Sequence, residues 1–193
     1  MIESRPNADS PNPRVQRTRA RVLSIARELL PKVGPMGLTY SLLAEEAHVT
    51  RQTLYRHWPT REGLLVDLVL SGAVTEYPES RQGLGIVARA FLNTFREAMQ
   101  DPGTGSALIS LAAQGDGDHE SARALELITE SRRQVFNGLL EPSVRPVTAD
   151  EFARLIGPVL FKRFIARQPV TDAFLDSVVE GWLPLMQPPA TPG

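Results

Sequence analysis

Four polar residues within a stretch of six have the side chains that read base pairs. Arg51, Gln52, Thr53 and Arg56 fall on the outer face of a short predicted helix. Arg can pair with guanine, Gln can pair with adenine, and the Thr methyl group suits the methyl group of thymine in the major groove. Ser41, on the helix before, joins this base-reading set. The pattern predicts sequence-specific binding to double-stranded DNA.

Side chains around this face are of the types that hold the DNA backbone. Hydroxyl, imidazole and guanidinium groups, and backbone amides at helix starts, donate hydrogen bonds to phosphate oxygens. A general-base role for His57 is the alternative, but no Ser, Cys or carboxylate stands with it in a recognisable catalytic motif. The predicted phosphate contacts are Arg17, Thr39, Tyr40, Thr50, Tyr55, His57 and Arg61.

Two short helices joined by a tight turn must position these side chains. Thr39 and Thr50 are the predicted N-caps of the two helices. The turn residue is His48, at a position that often needs a positive φ, for which Gly is best. Small and apolar residues then pack the pair together and against a preceding helix, namely Leu43, Ala44, Ala47, Val49, Leu54 and Trp58.

The segment from Leu29 to Leu68 resembles the DNA-binding domain of the TetR family of transcriptional regulators. Two departures stand out, since the family usually has Gly at the position of His48 and Lys at that of Arg61. Pro31 is also unusual so late in the first helix. The matching positions are Gly37-Leu38-Thr39, Leu43-Ala44, Ala47, Val49-Thr50, Thr53-Leu54-Tyr55, His57-Trp58, Arg61 and Leu64-Leu65.

The resemblance implies an all-helical homodimer, most often a repressor that binds a palindromic operator. An unknown small-molecule effector in the C-terminal domain would change the spacing of the two DNA-binding heads and release the DNA. A C-terminal domain that binds a protein partner instead is the alternative. The last two long helices usually form the dimer interface, and intramolecular core is the other explanation for their apolar residues. The predicted interface residues are Phe152, Ile156, Leu160, Phe161, Phe164, Phe174, Val178 and Trp182.

Helical periodicity continues along the rest of the chain, without strand alternation, and predicts an all-α fold of about nine helices. In the first helix we expect Pro31 to kink or end the helix before Gly34-Pro35 closes it. Thr60, Thr148 and Thr171 are predicted caps of later helices, and 106–113 is a predicted short helix. The predicted organisation is a disordered arm over 1–13, a helix-turn-helix domain over 14–60, a helical regulatory and dimerisation domain over 61–186, and a disordered tail over 187–193. The third of these begins with a connecting helix over 61–76, which ends before Tyr77-Pro78.

A set of large apolar residues at helical spacing is the candidate effector pocket. The same pattern is typical of ordinary core, so both interpretations stand. The acidic segment from Asp116 to Glu120 fits no calcium-loop spacing and is predicted to be a solvated turn. Arg132-Arg133 is predicted to lie on a solvated face. The candidate pocket residues are Phe91, Phe95, Met99, Leu108, Leu111 and Phe136.

Composition supports a cytoplasmic DNA-binding protein. Residues 1–65 carry ten Arg and Lys against six Asp and Glu, while the remainder carries eleven against sixteen. A basic head on an acidic body indicates that only the head meets a polyanion. The absence of Cys suits a reducing compartment, and neither a secretion signal nor an apolar run of roughly 20 residues is present. With no catalytic set in the sequence, we expect neither an enzyme nor a cofactor or metal site.

Overall fold

The computed structural model describes residues 13–72 and 83–186, and every regular element in these ranges is helical. This confirms the predicted all-α fold of about nine helices for the described part of the chain. No helix there has the length and apolar character needed to cross a bilayer. The α-helices are α1 (Pro13–Gly37), α2 (Tyr40–Glu46), α3 (Arg51–His57), α4 (Arg61–Ser71), α5 (Leu84–Gln100), α6 (Pro102–Gln114), α7 (His119–Gly138), α8 (Ala149–Leu160) and α9 (Asp172–Trp182).

Two further helical turns complete the C-terminal half. A π-helical turn, Phe161–Ile165, continues α8, and a 3-10 turn, Leu183–Met186, continues α9. Several predicted segments lie outside the described residues. These are the arm over 1–13 except Pro13, the end of the predicted connecting helix with the boundary at Tyr77-Pro78, and the tail over 187–193.

Side-chain caps set the starts of most helices. The predicted threonine caps are confirmed, because each hydroxyl accepts a hydrogen bond from a backbone amide three residues on; they are Thr39, Thr50, Thr60, Thr148 and Thr171. Two aspartate caps were not predicted from the sequence. Asp101 caps α6, which begins at Pro102, four residues before the predicted 106–113 helix. Asp118 caps α7, and hydrogen bonds from Ser121 lower the pKa of its carboxyl group. The acidic segment 116–120 therefore contains a helix cap.

The break in α1 lies at Gly34 rather than at Pro31. Gly34 has φ 71° and ψ 172°, outside the helical region, whereas Pro31 sits within regular helix. Pro31 cannot donate the bond that would reach the carbonyl of Arg27. That carbonyl lies at the contact between α1 and Gly103 of α6, where a Cβ added to Gly103 would be 2.4 Å from its oxygen. The prediction that Pro31 kinks or ends α1 is thus wrong, and tertiary packing holds the helix across the proline.

Buried side chains form two hydrophobic clusters that do not divide at residue 60. The first combines α1, α2, α3 and α4 with Ala107 and Leu111 of α6 and with Ala124 and Ile128 of α7. The second combines α5, the end of α7, α8 and α9. Therefore α6 and the first half of α7 pack into the same hydrophobic cluster as the head (residues 14–60) and α4.

Arg132 lies inside the protein rather than on a solvated face. Its side chain is buried, and its Nη2 donates to the carbonyl oxygen of Val69 at 2.9 Å. Val69 belongs to the last turn of α4, where carbonyl groups lack helical donors and attract positive charge. Arg132 thus ties α7 to the C-terminal end of α4, and the prediction of a solvated face is wrong.

The turn between α2 and α3 is held by backbone geometry at His48. This residue has φ 50°, as the sequence predicted for the turn, and the amide of Val49 donates to the carbonyl of Ala44 at 3.0 Å. A side chain with a Cβ is strained in this left-handed region. The imidazole is exposed, and within the described residues it forms no hydrogen bond or ion pair.

We expect His48→Gly to stabilise the protein by roughly 0.5 kcal/mol. The left-handed conformation costs a residue with a Cβ about 1–2 kcal/mol, and the extra backbone entropy of Gly offsets about 0.5–1 kcal/mol of the gain. Urea denaturation of the two proteins would measure the difference. Glu45→Gly, at an exposed helical position of α2, is the matched control and should destabilise instead. Equal loss of stability in both variants would show that the turn does not carry this strain.

Candidate nucleic-acid interface

Helix α3 has one face buried against the protein and one face exposed to solvent. Leu54 and Trp58 are buried beneath it, and Thr50 caps its first turn. Arg51, Gln52 and Arg56 are exposed, and within the described residues their side chains have no hydrogen bond or ion pair. Their donors are free for an external partner. The structure thus places these three predicted base-reading residues on one accessible helix.

Thr53 and Ser41 differ from these three in their surroundings. Thr53 is half-buried, and its hydroxyl forms a hydrogen bond of 2.9 Å with the hydroxyl of Thr50. Ser41 is exposed on the first turn of α2. Both stay predictions as base contacts.

A tryptophan and an aspartate anchor the C-terminal end of α3. The indole Nε1 of Trp58 and the guanidinium of Arg19 both donate to the carboxylate of Asp67. The Arg19 guanidinium also lies 5.9 Å from the Trp58 ring centroid. This connection joins α1, α3 and α4, so it sets the angle at which α3 is presented. A buried Trp needs a partner for its N–H, and that rule was the available signal in the sequence.

Tyr40 has a structural role that differs from the predicted one. Its hydroxyl donates toward the carbonyl oxygens of Trp58 (2.7 Å) and Thr60 (2.8 Å), and its ring lies 4.8 Å from that of Tyr55. Burial, with a smaller effect of Tyr55 and Glu62, raises the pKa of Tyr40 to about 12. The single hydroxyl hydrogen is committed within the chain. The prediction that Tyr40 donates to phosphate is therefore corrected.

Arg61 points toward the body rather than toward the face of α3. Its guanidinium donates to the carbonyl of Pro35 (3.2 Å), to the carboxylate of Glu62 (3.2 Å) and to the side-chain oxygen of Gln114 (2.9 Å). Only 26% of its side chain is exposed. These bonds connect the end of α1 and the start of α4 to the end of α6. Arg61 thus joins the head to the body, and its phosphate contact stays a prediction.

We expect Arg61→Ala to lower stability without changing the salt dependence of DNA binding. The change removes donors from three acceptors, which costs about 1.5–3 kcal/mol for bonds to a charged group. Anisotropy titrations at several salt concentrations would test the second part. Arg17→Ala, which removes a predicted phosphate contact, is the control and should lower the salt slope by about one. A fall of that size in Arg61→Ala would support the predicted phosphate contact.

The other predicted phosphate contacts lie on accessible parts of the head. Arg17, Thr39, Thr50 and Tyr55 are exposed, although the two threonine oxygens already accept capping bonds. His57 is half-buried, with its ring centroid 5.5 Å from that of Trp58. The contact between Tyr40 and Tyr55 brings the first turn of α2 beside α3. These contacts stay predictions.

The candidate effector pocket residues do not line one cavity. Phe91 and Phe136 pack edge to face, with ring centroids 5.1 Å apart, in the second cluster together with Phe95 and Met99. Leu111 lies in the first cluster, and Leu108 contacts both clusters. Most of these residues fill the core, and Leu111 lies in a different cluster from Phe91, Phe95, Met99 and Phe136, so the described residues do not bring the six together in one pocket.

Two predicted interface residues are also core. Phe152 and Trp182 are buried within the chain, and the indole of Trp182 donates to the carbonyl of Glu151 at 2.8 Å. A partner could not reach them, so the interface prediction is wrong for these two. In contrast, Phe161 is 60% exposed. The remaining members are half-buried and pack against the second cluster from α8, the π-helical turn and α9, namely Ile156, Leu160, Phe164, Phe174 and Val178.

Comparison with known proteins identifies the N-terminal segment. Residues 22–68, from the middle of α1 through most of α4, match the family described as "Bacterial regulatory proteins, tetR family". The chain is 24% identical over 175 residues to the uncharacterized HTH-type transcriptional regulator YdeS of Bacillus subtilis (strain 168), with 86% of this chain and 88% of YdeS covered.

Solved structures extend the similarity to the C-terminal half. The TetR family transcription regulator SCO0332 is similar with a TM-score of 0.63 and 25% identity, over 89% of this chain and 99% of that chain. A TetR transcriptional regulator from Rhodococcus sp. RHA1 shares the fold, with a TM-score of 0.58 and 18% identity over 89% of this chain and 95% of that one. These matches support the TetR family of transcriptional regulators as the family of this chain, and the exposed face of α3 with its capped turn agrees with the match over residues 22–68.

Proposed function

We propose that this protein is a cytoplasmic, homodimeric repressor that binds a palindromic operator and leaves it when a small-molecule effector binds. The observation that carries the proposal is the outer face of α3. There Arg51, Gln52 and Arg56 present free donors and acceptors on a helix that Trp58 and Asp67 hold in place. A rigid helix with unpaired polar side chains is suited to the major groove, where such groups distinguish base pairs.

A second copy of the chain would complete the DNA reader through α8 and α9. Phe161 is exposed there, and a Cβ added to Gly157 or Gly181 would meet nothing within 4 Å. Small residues on exposed helix faces allow another helix to approach closely. In such a dimer the two α3 helices would enter successive major grooves about 34–36 Å apart, which requires a palindromic site.

The connection between α6 and the head supports release by an effector. Arg27 of α1 forms an ion pair with Asp101 at 3.3 Å, and Arg61 bonds Gln114 at 2.9 Å, so both ends of α6 are tied to the head. A ligand that favours a shifted α6 would favour a different separation of the two α3 helices. Operator release then follows from a shift in the population of the two arrangements.

Selection of bound sequences from a random duplex library, at a stated salt concentration, tests the proposal. We expect an enriched palindrome with half-sites one helical turn apart. The salt concentration matters because backbone contacts alone give affinity without sequence preference. Binding without any enriched sequence would contradict the proposal, and an enriched site without two-fold symmetry would contradict the dimeric part of it.

A further inference from the structure

A cleft rich in arginine lies between the turn that joins α5 to α6 and the end of α8. It consists of two adjoining cavities of about 320 and 330 Å³. Both are lined by Met99, Arg163 and Arg167, and we call the combined space the arginine cleft. Volumes above about 300 Å³ are in the range of small-molecule sites.

Positive charge in the arginine cleft is not neutralised. Among the described residues, neither Arg163 nor Arg167 forms an ion pair. Arg96, which lines the first cavity, bonds Asp172 at 2.8 Å, but its Nε is buried without a hydrogen-bond partner. Asp101 lines the second cavity and is paired with Arg27. An anion placed here would gain charge-assisted hydrogen bonds.

The backbone that presents these arginines is strained. Arg167 has φ 54°, in the left-handed region that favours Gly. It follows the π-helical turn Phe161–Ile165, which the amide of Ala166 closes by donating to the carbonyl of Phe161 at 2.9 Å. Strained conformations and π-helical turns both concentrate at functional sites. Arg167 therefore lines both cavities from a backbone conformation that is unfavourable for a residue with a Cβ.

The remaining walls are largely apolar. Val159 and Val170 line the first cavity, and Ile109 and Phe164 line the second. Such walls suit a hydrocarbon body, while Gln100 and Gln168 of the first cavity and Ser106 of the second add polar groups beside the arginines. A ligand that uses the whole cleft needs an anionic end and an apolar body.

We propose that the arginine cleft binds an organic carboxylate with an apolar body. Arg163 and Arg167 hold the carboxylate, and the body lies against Met99 and the apolar walls. That this ligand is the effector rests on the proposed function. The cleft wall includes Asp101, which also pairs with Arg27 of α1, so an occupant presses on the junction between the body and the head.

Calorimetric titration of the full chain with straight-chain carboxylates from acetate to decanoate tests binding without DNA. The matching primary alcohols are the neutral probes. We expect carboxylate affinity to rise with chain length, and the alcohols to bind about tenfold more weakly or worse, because they lack charge-assisted bonds. Absence of carboxylate binding at millimolar concentration, or equal binding of acids and alcohols, would overturn the proposal.

Two variants assign the binding to the cleft. Arg167→Gly removes the guanidinium while relieving the strained backbone, so we expect an equal or higher Tm together with about tenfold weaker carboxylate binding. Arg163→Ala should weaken binding to a similar degree. Arg123→Ala, which removes an exposed charge from α7, is the matched control and should bind like the parent protein. Carboxylate binding that is unchanged in both cleft variants overturns the proposal, whatever the oligomeric state of the variants.

A final measurement separates this inference from the proposed function. The selected operator duplex is titrated with protein in the presence and absence of decanoate. Weaker duplex binding in parent protein, but not in Arg167→Gly, supports the effector role. Duplex binding with no carboxylate binding in calorimetry leaves the repressor standing and removes the cleft proposal. If the parent protein shows no sequence-specific duplex binding, the proposed repressor function is contradicted. The calorimetric titrations still decide whether the arginine cleft binds carboxylates.

Discussion

Arg51→Ala and Gln52→Ala should each weaken operator binding by about 1–3 kcal/mol and relax the sequence preference at one base position per half-site. Both side chains are exposed on α3 and have no partner within the described chain. Their removal should therefore leave the Tm unchanged, so that the loss of operator affinity reflects lost contacts with DNA rather than lost stability. Repeating the duplex selection with each variant would show which position loses its preference.

A backbone contact gives the matched comparison. Arg17→Ala should weaken binding to all duplexes to a similar extent, because a phosphate contact carries no base information. If Arg51→Ala and Gln52→Ala both kept the parental affinity and the parental sequence preference at every position, α3 would not be the reading helix. A uniform loss of affinity without a relaxed position would place Arg51 on the backbone instead.

Gly103→Ala should loosen the junction between α6 and α1 and weaken operator binding with it. A Cβ at this position would lie 2.4 Å from both Cγ and the carbonyl oxygen of Arg27, and 2.7 Å from its Cα. Backbone atoms cannot rotate aside as a side-chain end can, so the helices must separate. We expect a loss of about 1–3 kcal/mol, with Tm falling by roughly 2–4 °C for each kcal/mol.

A glycine in open space controls for the change in helix propensity. Gly138 ends α7, and a Cβ there meets nothing within 4 Å. Gly138→Ala should keep or slightly raise the Tm, because Ala is the better helix residue by up to about 1 kcal/mol. Thermal denaturation and operator titration of both variants measure the two effects. Parental values for Gly103→Ala would mean that α1 and α6 are not closely joined in solution.

The sequence predicted features that depend on neighbouring residues. Threonine caps, the turn at His48 and the outer face of α3 follow from local hydrogen bonding, local sterics and helical spacing, and all are in the structure. The bond from Arg61 to Gln114 was not predicted, because the two residues lie 53 positions apart in the sequence. No local pattern tells an arginine at a helix start whether phosphate or a distant amide will receive its donors.

Packing partners were the second source of error. Helical periodicity identifies which face of a helix is buried, but not which other helix covers it. Leu111 and Phe91 look alike in that respect, yet they lie in different clusters. Phe152 and Trp182 satisfy the pattern of an interface and the pattern of a core equally. Their neighbours, Phe91 and Phe136 of α5 and α7, decide the matter, since the four rings pack on one another.

Sharing of one hydrophobic cluster by the head and α6 limits how regulators of this kind can be recombined. A chimera cut between α3 and α4, or after α4, would leave Ala107 and Leu111 of α6 facing a foreign surface. The transplantable unit is discontinuous, because it consists of α1–α4 plus α6 and the first half of α7. A graft designed on that boundary would carry its own core, but it would also replace the α6 residues that line the arginine cleft, so a new operator specificity would arrive together with a changed ligand site.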